Sequence, residues 1–354
     1  MEVCVKKMIG LFGALPLMVL AAGDIEDSLL LETVVNAKPL ERIHPKYPVL
    51  AAKSGKEGWV RLSYVIRADG SVDNLIVEDS SGERDFEREA MRAIRQWTYE
   101  PAVQDGKPIE QCQNKVQMDF ALQKGPEGVT RRFLSRARKI QDALENGQLD
   151  AARVQLDLIK DSPKWNLYED AWYWMLDARY QEHKGNEKAE LVSIGRALMS
   201  ERLPEPNRLY LAQRRFQLEV ASNRLADALE TFERIEQLDQ DGEVTAVLRP
   251  YAKQLRQILD GEELVVVDGN IGQRLTWQHK LSRSQFSLVD NEGDLESVEV
   301  RCQNQYSTYK AVTDVIWKIP PAWGQCSVYL RGEENASFKL LELPQNHDAH
   351  LGQI

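Results

Sequence analysis

The sequence predicts a multidomain chain: a small α+β unit, then an α-helical repeat array, then a C-terminal β-sandwich-like domain. Three observations carry this. Between Pro45 and Leu122, alternating apolar runs flank one helical stripe. In a helix-patterned stretch, Gly147, Gly185 and Asn223 recur 38 residues apart. After Glu262 the period returns to two. At 354 residues the chain exceeds one ordinary core. A net charge of −10 argues against a general nucleic-acid binder, because phosphate binding needs concentrated positive charge.

Residues 1–23 read as a signal peptide. Lys6 and Lys7 precede a short apolar run, Met8–Leu20, and Ala21-Ala22-Gly23 offers small residues for cleavage. The run is short beside the roughly 20 residues that span a bilayer, so cleavage is favoured over an inner-membrane anchor through residues 8–22. A targeting segment of this kind would carry the chain across a membrane. Cys4 lies before the apolar run, so this is not a lipoprotein signal. Residues 24–44 read as an arm.

The α+β unit spans 45–125. Val60, Leu62, Tyr64 and Ile66 alternate with Arg61, Ser63, Val65 and Arg67, the pattern of a half-buried strand. Asp69-Gly70 signals a hairpin turn, and Val72–Asp79 a second strand. Phe86, Ala90, Ala93, Ile94 and Trp97 fall on one helical face. Pro101 and Asp105-Gly106 turn the chain, and Val116, Met118, Phe120 and Leu122 alternate as a closing strand. One helix on a three-stranded sheet follows.

Residues 129–260 are helix-patterned. Gly147, Gly185 and Asn223 suit tight inter-helix turns, since both residue types tolerate positive φ, and a small Ala follows each. Trp174 and Ala178 precede Gly185 at spacings that resemble tetratricopeptide (TPR-like) helix pairs. Tyr251–Leu259 would cap the array. The basic cluster Arg131, Arg132, Arg136, Arg138 and Lys139 reads as a solvated helix face or as a contact for anionic lipid or glycan. Residues 262–343 hold seven short strand candidates: Leu264–Val267, Arg274–Leu281, Gln285–Val289, Ser297–Cys302, Val312–Trp317, Cys326–Leu330 and Ser337–Leu341. The tail, 344–354, is polar.

Export permits disulfides. Cys302 and Cys326 lie in two β-like segments of one region and are paired here, with three free buried thiols as the alternative; Cys112 is left over as a half-buried thiol. No catalytic motif is present: there is no G-x-S-x-G, phosphate loop, H-E-x-x-H or C-x-x-C. His347 and His350 form a poor metal pair without a third ligand. The chain reads as a non-enzyme with no catalytic residue, metal or cofactor. Its usable chemistry is a sheet edge, where unpaired backbone groups can accept another chain's extended segment. The strand Lys115–Leu122 is the candidate edge: Lys115, Val116, Gln117, Met118, Asp119, Phe120, Ala121 and Leu122. The competing reading covers that edge with the arm or the helical region.

The residues Pro45, Tyr47, Pro48, Gly58, Val60, Asp69, Gly70, Val72, Val77, Ser80, Ser81, Gly82, Phe86, Ala90, Ala93, Trp97, Tyr99, Pro101, Ala102, Gly106, Pro108, Phe120 and Leu122 together resemble the TonB carboxy-terminal domain family. The resemblance covers about 80 residues and implies a periplasmic domain whose last strand pairs with a short peptide of an outer-membrane receptor. It makes Tyr47 and Pro48 contact candidates; read structurally, Pro48 fixes an extended entry and Tyr47 packs on the helix. Force-transducing members combine a spanning helix with a long Pro-rich segment, whereas the arm here reaches only about 70 Å when extended. The leading expectation is therefore a periplasmic adaptor, with the repeats as a second protein-binding surface. The alternatives are a short anchored energy transducer and a peptidoglycan-binding scaffold. The partners expected are an outer-membrane receptor or another envelope protein, then the proton-driven inner-membrane motor, peptidoglycan or a second copy of the chain, and no nucleic acid.

Overall fold

The computed structural model of the protein describes residues 34–123, 127–162 and 166–344. The signal segment, the first part of the arm and the tail from residue 345 lie outside the described residues. No helix among the described residues is long and apolar enough to cross a membrane.

The first region comprises β1 (Val34–Val35), β2 (Lys38–Glu41), α1 (Val49–Ser54), β3 (Gly58–Ile66), β4 (Val72–Ser80), α2 (Arg84–Ile94), β5 (Thr98–Glu100), β6 (Ala102–Gln104), β7 (Lys107–Ile109) and β8 (Gln111–Phe120). Its main sheet is antiparallel, in the order β4-β3-β8. The even-numbered residues of β3 (Val60, Leu62, Tyr64, Ile66) share one core with Phe86, Ala90, Ile94 and Trp97 and with Met118 and Phe120 of β8. Asp105 and Gly106 both have positive φ, 49° and 76°, as a two-residue turn between β6 and β7 requires.

Two expectations are corrected here. The arm does not run free to residue 44: β1 pairs with β6, β2 pairs with β5, and Arg42 lies over the rings of Trp97 and Tyr99. Two- and four-residue strands are too short to show a period, and their partners lie some 60 residues away, so sequence pattern cannot register them. The closing strand begins earlier than expected, at Gln111, and ends at Phe120; Ala121 and Leu122 fall beyond it.

The second region is helical: α3 (Arg131–Glu145), α4 (Leu149–Lys160), α5 (Leu167–Lys184), α6 (Glu187–Ala197), α7 (Glu205–Ala221), α8 (Leu225–Leu238) and α9 (Glu243–Asp260). They form three packed pairs, α3/α4, α5/α6 and α7/α8, followed by α9. The turn inside each pair holds Gly147, Gly185 or Asn223 at φ 68°, 70° and 55°. The last helix is longer than the expected Tyr251–Leu259. It starts at Glu243 and runs through Pro250, a residue that ordinarily marks a helix boundary.

The third region has β9 (Val265–Asn270), β10 (Thr276–Lys280), β11 (Gln285–Glu292), β12 (Leu295–Cys302), β13 (Tyr306–Lys310), β14 (Trp317–Lys318), β15 (Cys326–Gly332) and β16 (Ser337–Leu343). They make two four-stranded antiparallel sheets, β10-β15-β12-β13 and β14-β11-β16-β9. Val298, Val328 and Leu330 of one and Phe286, Leu288 and Leu340 of the other share a buried cluster. Val312–Trp317 is not a strand. Asp314 takes φ 58°, which breaks the extension, and only Trp317 enters β14. The half-exposed β13, Y-S-T-Y-K, lacks the apolar alternation that reveals a strand. Cys302 and Cys326 face each other across β12 and β15 and are joined by a disulfide.

The turn geometry yields a first prediction. A Cβ at Gly185 would meet nothing within 4 Å, so Gly185→Ala should cost only the left-handed backbone penalty, about 1 kcal/mol. Gly185→Asn should cost less, because Asn223 already occupies the equivalent turn. Denaturant midpoints of the two variants check the order.

Candidate functional site: the outer edge of β8

The candidate edge is the outer side of β8. Its inner side pairs with β3 in continuous register from Gly58↔Phe120 to Tyr64↔Asn114. The N-terminal end of its outer side is occupied. The Cys112 N–H donates to the Gln303 carbonyl (3.3 Å), and the Gln113 amide donates to the carbonyls of Gln325 (2.8 Å) and Arg301 (3.2 Å). Beyond this clamp, from Lys115 to Phe120, the only backbone pairing among the described residues is with β3. The start of β8 is thus tied to the third region, not to the arm or the helical region that the competing reading placed over Lys115–Leu122.

The side chains of β8 divide by face. Val116, Met118 and Phe120 turn toward α2 and join its core. Lys115, Gln117 and Asp119 share the opposite face with Ser63, Arg61 and Trp59, their partners in register. Tyr47 packs edge-on against Phe86 (5.8 Å) and Phe120 (6.0 Å), and its hydroxyl donates to the Lys56 carbonyl (2.5 Å). Burial pushes that hydroxyl's pKa up to about 12, with the nearby Glu57 charge adding to it. Pro48 is buried and leads into α1. Tyr47 therefore sits beside the C-terminal end of the edge, while Pro48 has no exposed surface to offer a partner. Of the two residues beyond the strand, Ala121 is exposed, and the Leu122 N–H donates to Glu57 (2.8 Å).

The opposite face of the sheet is not open. Trp59 and Ser63 are 3% and 1% exposed although they point away from α2. β3 is buried on both faces and is not the half-buried strand its alternation suggests. The covering groups come from both later regions. The Trp59 indole donates to Asp170 of α5 (2.7 Å). Asp79 of β4 takes both forks of Arg196 (2.8 Å each), whose guanidinium lies 4.3 Å from the Trp174 ring centre. Asp119 of β8 pairs with Arg202 (2.9 Å). The second oxygen of Glu57 accepts from the Leu167 N–H at the start of α5 (3.1 Å). From the third region, Arg301 donates to Ser63 (3.3 Å), and the Tyr329 hydroxyl donates to Glu78 (2.8 Å), which also holds Lys115 (3.1 Å). Burial raises the Tyr329 pKa, and the Glu78 charge adds to the rise, so this hydroxyl stays protonated.

Sequence reasoning singled out none of Glu57, Trp59, Asp79, Arg196, Arg202 or Arg301. One signal was available: G-W-V-R-L-S-Y-V-I carries apolar residues at odd as well as even positions, the mark of a strand covered twice. Cys112 is fully buried, not half-buried, and desolvation pushes its thiol up to about 12.

Two predictions follow from these contacts. Trp59→Phe keeps an aromatic ring but removes the donor to Asp170 and leaves the indole's second ring unfilled, and should lower stability by about 1–3 kcal/mol in denaturant titrations. Cys112 should stay unreactive toward a thiol reagent at pH 8 in the native protein and titrate only after unfolding.

The comparisons with known proteins fall on this sheet and its helix. Residues 43–122 match the family model described as "Gram-negative bacterial TonB protein C-terminal". Protein TonB of Pseudomonas aeruginosa is 34% identical over 97 residues, 27% of this chain and 26% of that protein. Protein TonB of Escherichia coli K12 is 38% identical over 71 residues, 20% of this chain and 28% of that protein. The chain thus spans about a quarter of the length of these curated relatives. Among solved structures, the Pseudomonas aeruginosa TonB C-terminal domain is 32% identical, covering 29% of this chain and 95% of that one, with a TM-score of 0.24. Residues 43–122 are therefore similar to the TonB C-terminal family, and this stretch is set here ahead of a helical and a β-rich region.

Proposed function

We infer that this protein is a periplasmic adaptor of TonB-dependent transport, docking an extended segment of an outer-membrane transport partner as an added strand along Lys115–Phe120. The observation that carries this is the unpaired outer side of β8 on a strand otherwise fixed by β3, by the Gln303 clamp and by Arg202. Main-chain hydrogen bonds would supply affinity. The alternate rows Val116/Met118/Phe120 and Lys115/Gln117/Asp119 would sort side chains by face, and Tyr47 would border the first row. The TPR-like helix pairs would give a second protein-binding surface, as such arrays do.

A second reading, a short energy transducer anchored through residues 8–22 and engaging the inner-membrane motor, is favoured by the matched relatives, which are TonB proteins. Determining the N-terminus of the exported protein separates the two: a start near Asp24 removes the anchor.

The docking mode is tested with a synthetic peptide from the periplasmic N-terminal segment of a TonB-dependent receptor. Binding should protect alternate amides of Lys115–Phe120 from hydrogen exchange. Methylating the alternate peptide nitrogens that face β8 should weaken binding more than tenfold, at about 0.5–1.5 kcal/mol for each lost bond. Methylating the other set should leave it unchanged. Binding without new protection in β8 would overturn the strand-addition reading.

A further inference from the structure

Helix α3 breaks a charge rule that the other long helices obey. Every other described helix of eight or more residues carries an Asp or Glu in its first turn, where the positive end of the helix dipole favours it. α3 has none, and its first two positions are Arg131 and Arg132. The inner face of α3 is ordinary: Phe133, Ala137, Ile140 and Leu144 are buried against its neighbours. The outer face gathers Arg131, Arg132, Arg138 and Lys139, all exposed. At 3.6 residues per turn they fall within an arc of about 120° and a length of about 12 Å. Leu134, 38% exposed, borders that arc.

These four cations are left over in an acidic protein. Elsewhere in the array Arg153, Arg196, Arg202, Arg214, Arg215 and Arg224 each hold a carboxylate. Among the described residues, Arg131, Arg132, Arg138 and Lys139 take part in no ion pair, hydrogen bond or ring contact given by the structure. Arg136, on the flank toward α4, is the exception within the basic run and donates to the Leu158 carbonyl. The helix end is itself closed: the Thr130 hydroxyl accepts from the Phe133 N–H, and the buried Glu169 carboxylate of α5 accepts from the Thr130 N–H and hydroxyl, which supplies the missing first-turn acid from a neighbour. What remains is a convex face of long, free cations. A row of exposed cations with no partner inside the fold marks a surface that can serve something outside it.

We propose that the outer face of α3 is a docking surface for an anionic phospholipid bilayer. A convex row of flexible cations with a bordering leucine matches a plane of headgroup phosphates, which has no fixed geometry to recognise. The chain's own apolar run, Met8–Leu20, brings it to a bilayer during export. The adaptor would then lie against a membrane through its helical array while the β8 edge stays available.

The test is flotation of the full chain with vesicles of phosphatidylethanolamine and phosphatidylglycerol, against phosphatidylcholine vesicles that report contributions other than headgroup charge. Partitioning should favour the anionic vesicles and fall when NaCl rises from about 50 to about 500 mM. The quadruple variant Arg131→Glu, Arg132→Glu, Arg138→Glu, Lys139→Glu should lose that preference by about a hundredfold or more. Circular dichroism checks that it is folded. A control, Lys253→Glu with Arg256→Glu on the exposed side of α9, should retain most of the preference. Equal partitioning of the wild type into both vesicles overturns the proposal, as does an equal loss in the control. Charge-dependent sedimentation with purified peptidoglycan sacculi, without a preference for anionic vesicles, assigns the face to glycan instead and also overturns it. Should the quadruple variant fail to fold, the pair Arg138→Gln, Lys139→Gln carries the same comparison with a smaller expected loss.

Discussion

Everything in this molecule is arranged around one strand that must be covered twice. β3 sends Val60, Leu62, Tyr64 and Ile66 to α2 and buries Trp59 and Ser63 on the other side. A three-stranded sheet with one helix can cover only one of those faces. The second cover comes from later parts of the same chain. That requirement explains why the helical and β-rich regions sit against the TonB-C-like domain rather than trailing from it.

The second cover is held largely by polar groups. Asp79 with Arg196, Asp119 with Arg202, Glu57 with two backbone amides, and Glu78 with Tyr329 and Lys115 are directional, charge-assisted contacts. Such pairs gain little net stability over an apolar interface, but they fix relative position, since each partner left alone in a buried site would be costly. The helical array meets the third region in a similar way. Arg283 donates to the carbonyls of Ile258, Leu259 and Gly261 at the end of α9 and to those of Glu263 and Glu342. It thereby satisfies acceptors that a helix end leaves open. One side chain both finishes α9 and ties it to β16, the last strand of the third region.

These ties bear on the edge itself. The Gln303 and Gln325 carbonyls hold the start of β8 and Arg202 holds its end, while the stretch between keeps its outer side unpaired. A strand fixed at both ends presents its free backbone groups in a set direction and loses little further freedom when a partner adds to it.

The local elements were legible along the chain, because their causes are local. The alternation in β3, the stripe of Phe86, Ala90, Ala93 and Ile94, and the left-handed positions Gly147, Gly185 and Asn223 depend on near neighbours only. The family motif was likewise legible over residues 45–122. Which surfaces remain was set by long-range packing. β1 and β2 pair with strands far along the chain, Asp314 breaks an apolar run that reads as a strand, and Pro48 is buried. The closure of the sheet's second face rests on pairs such as Trp59 with Asp170 and Ser63 with Arg301, 111 and 238 residues apart. Period and propensity carry no information across such separations, since a contact of that kind leaves its mark only in the coordinates of both partners.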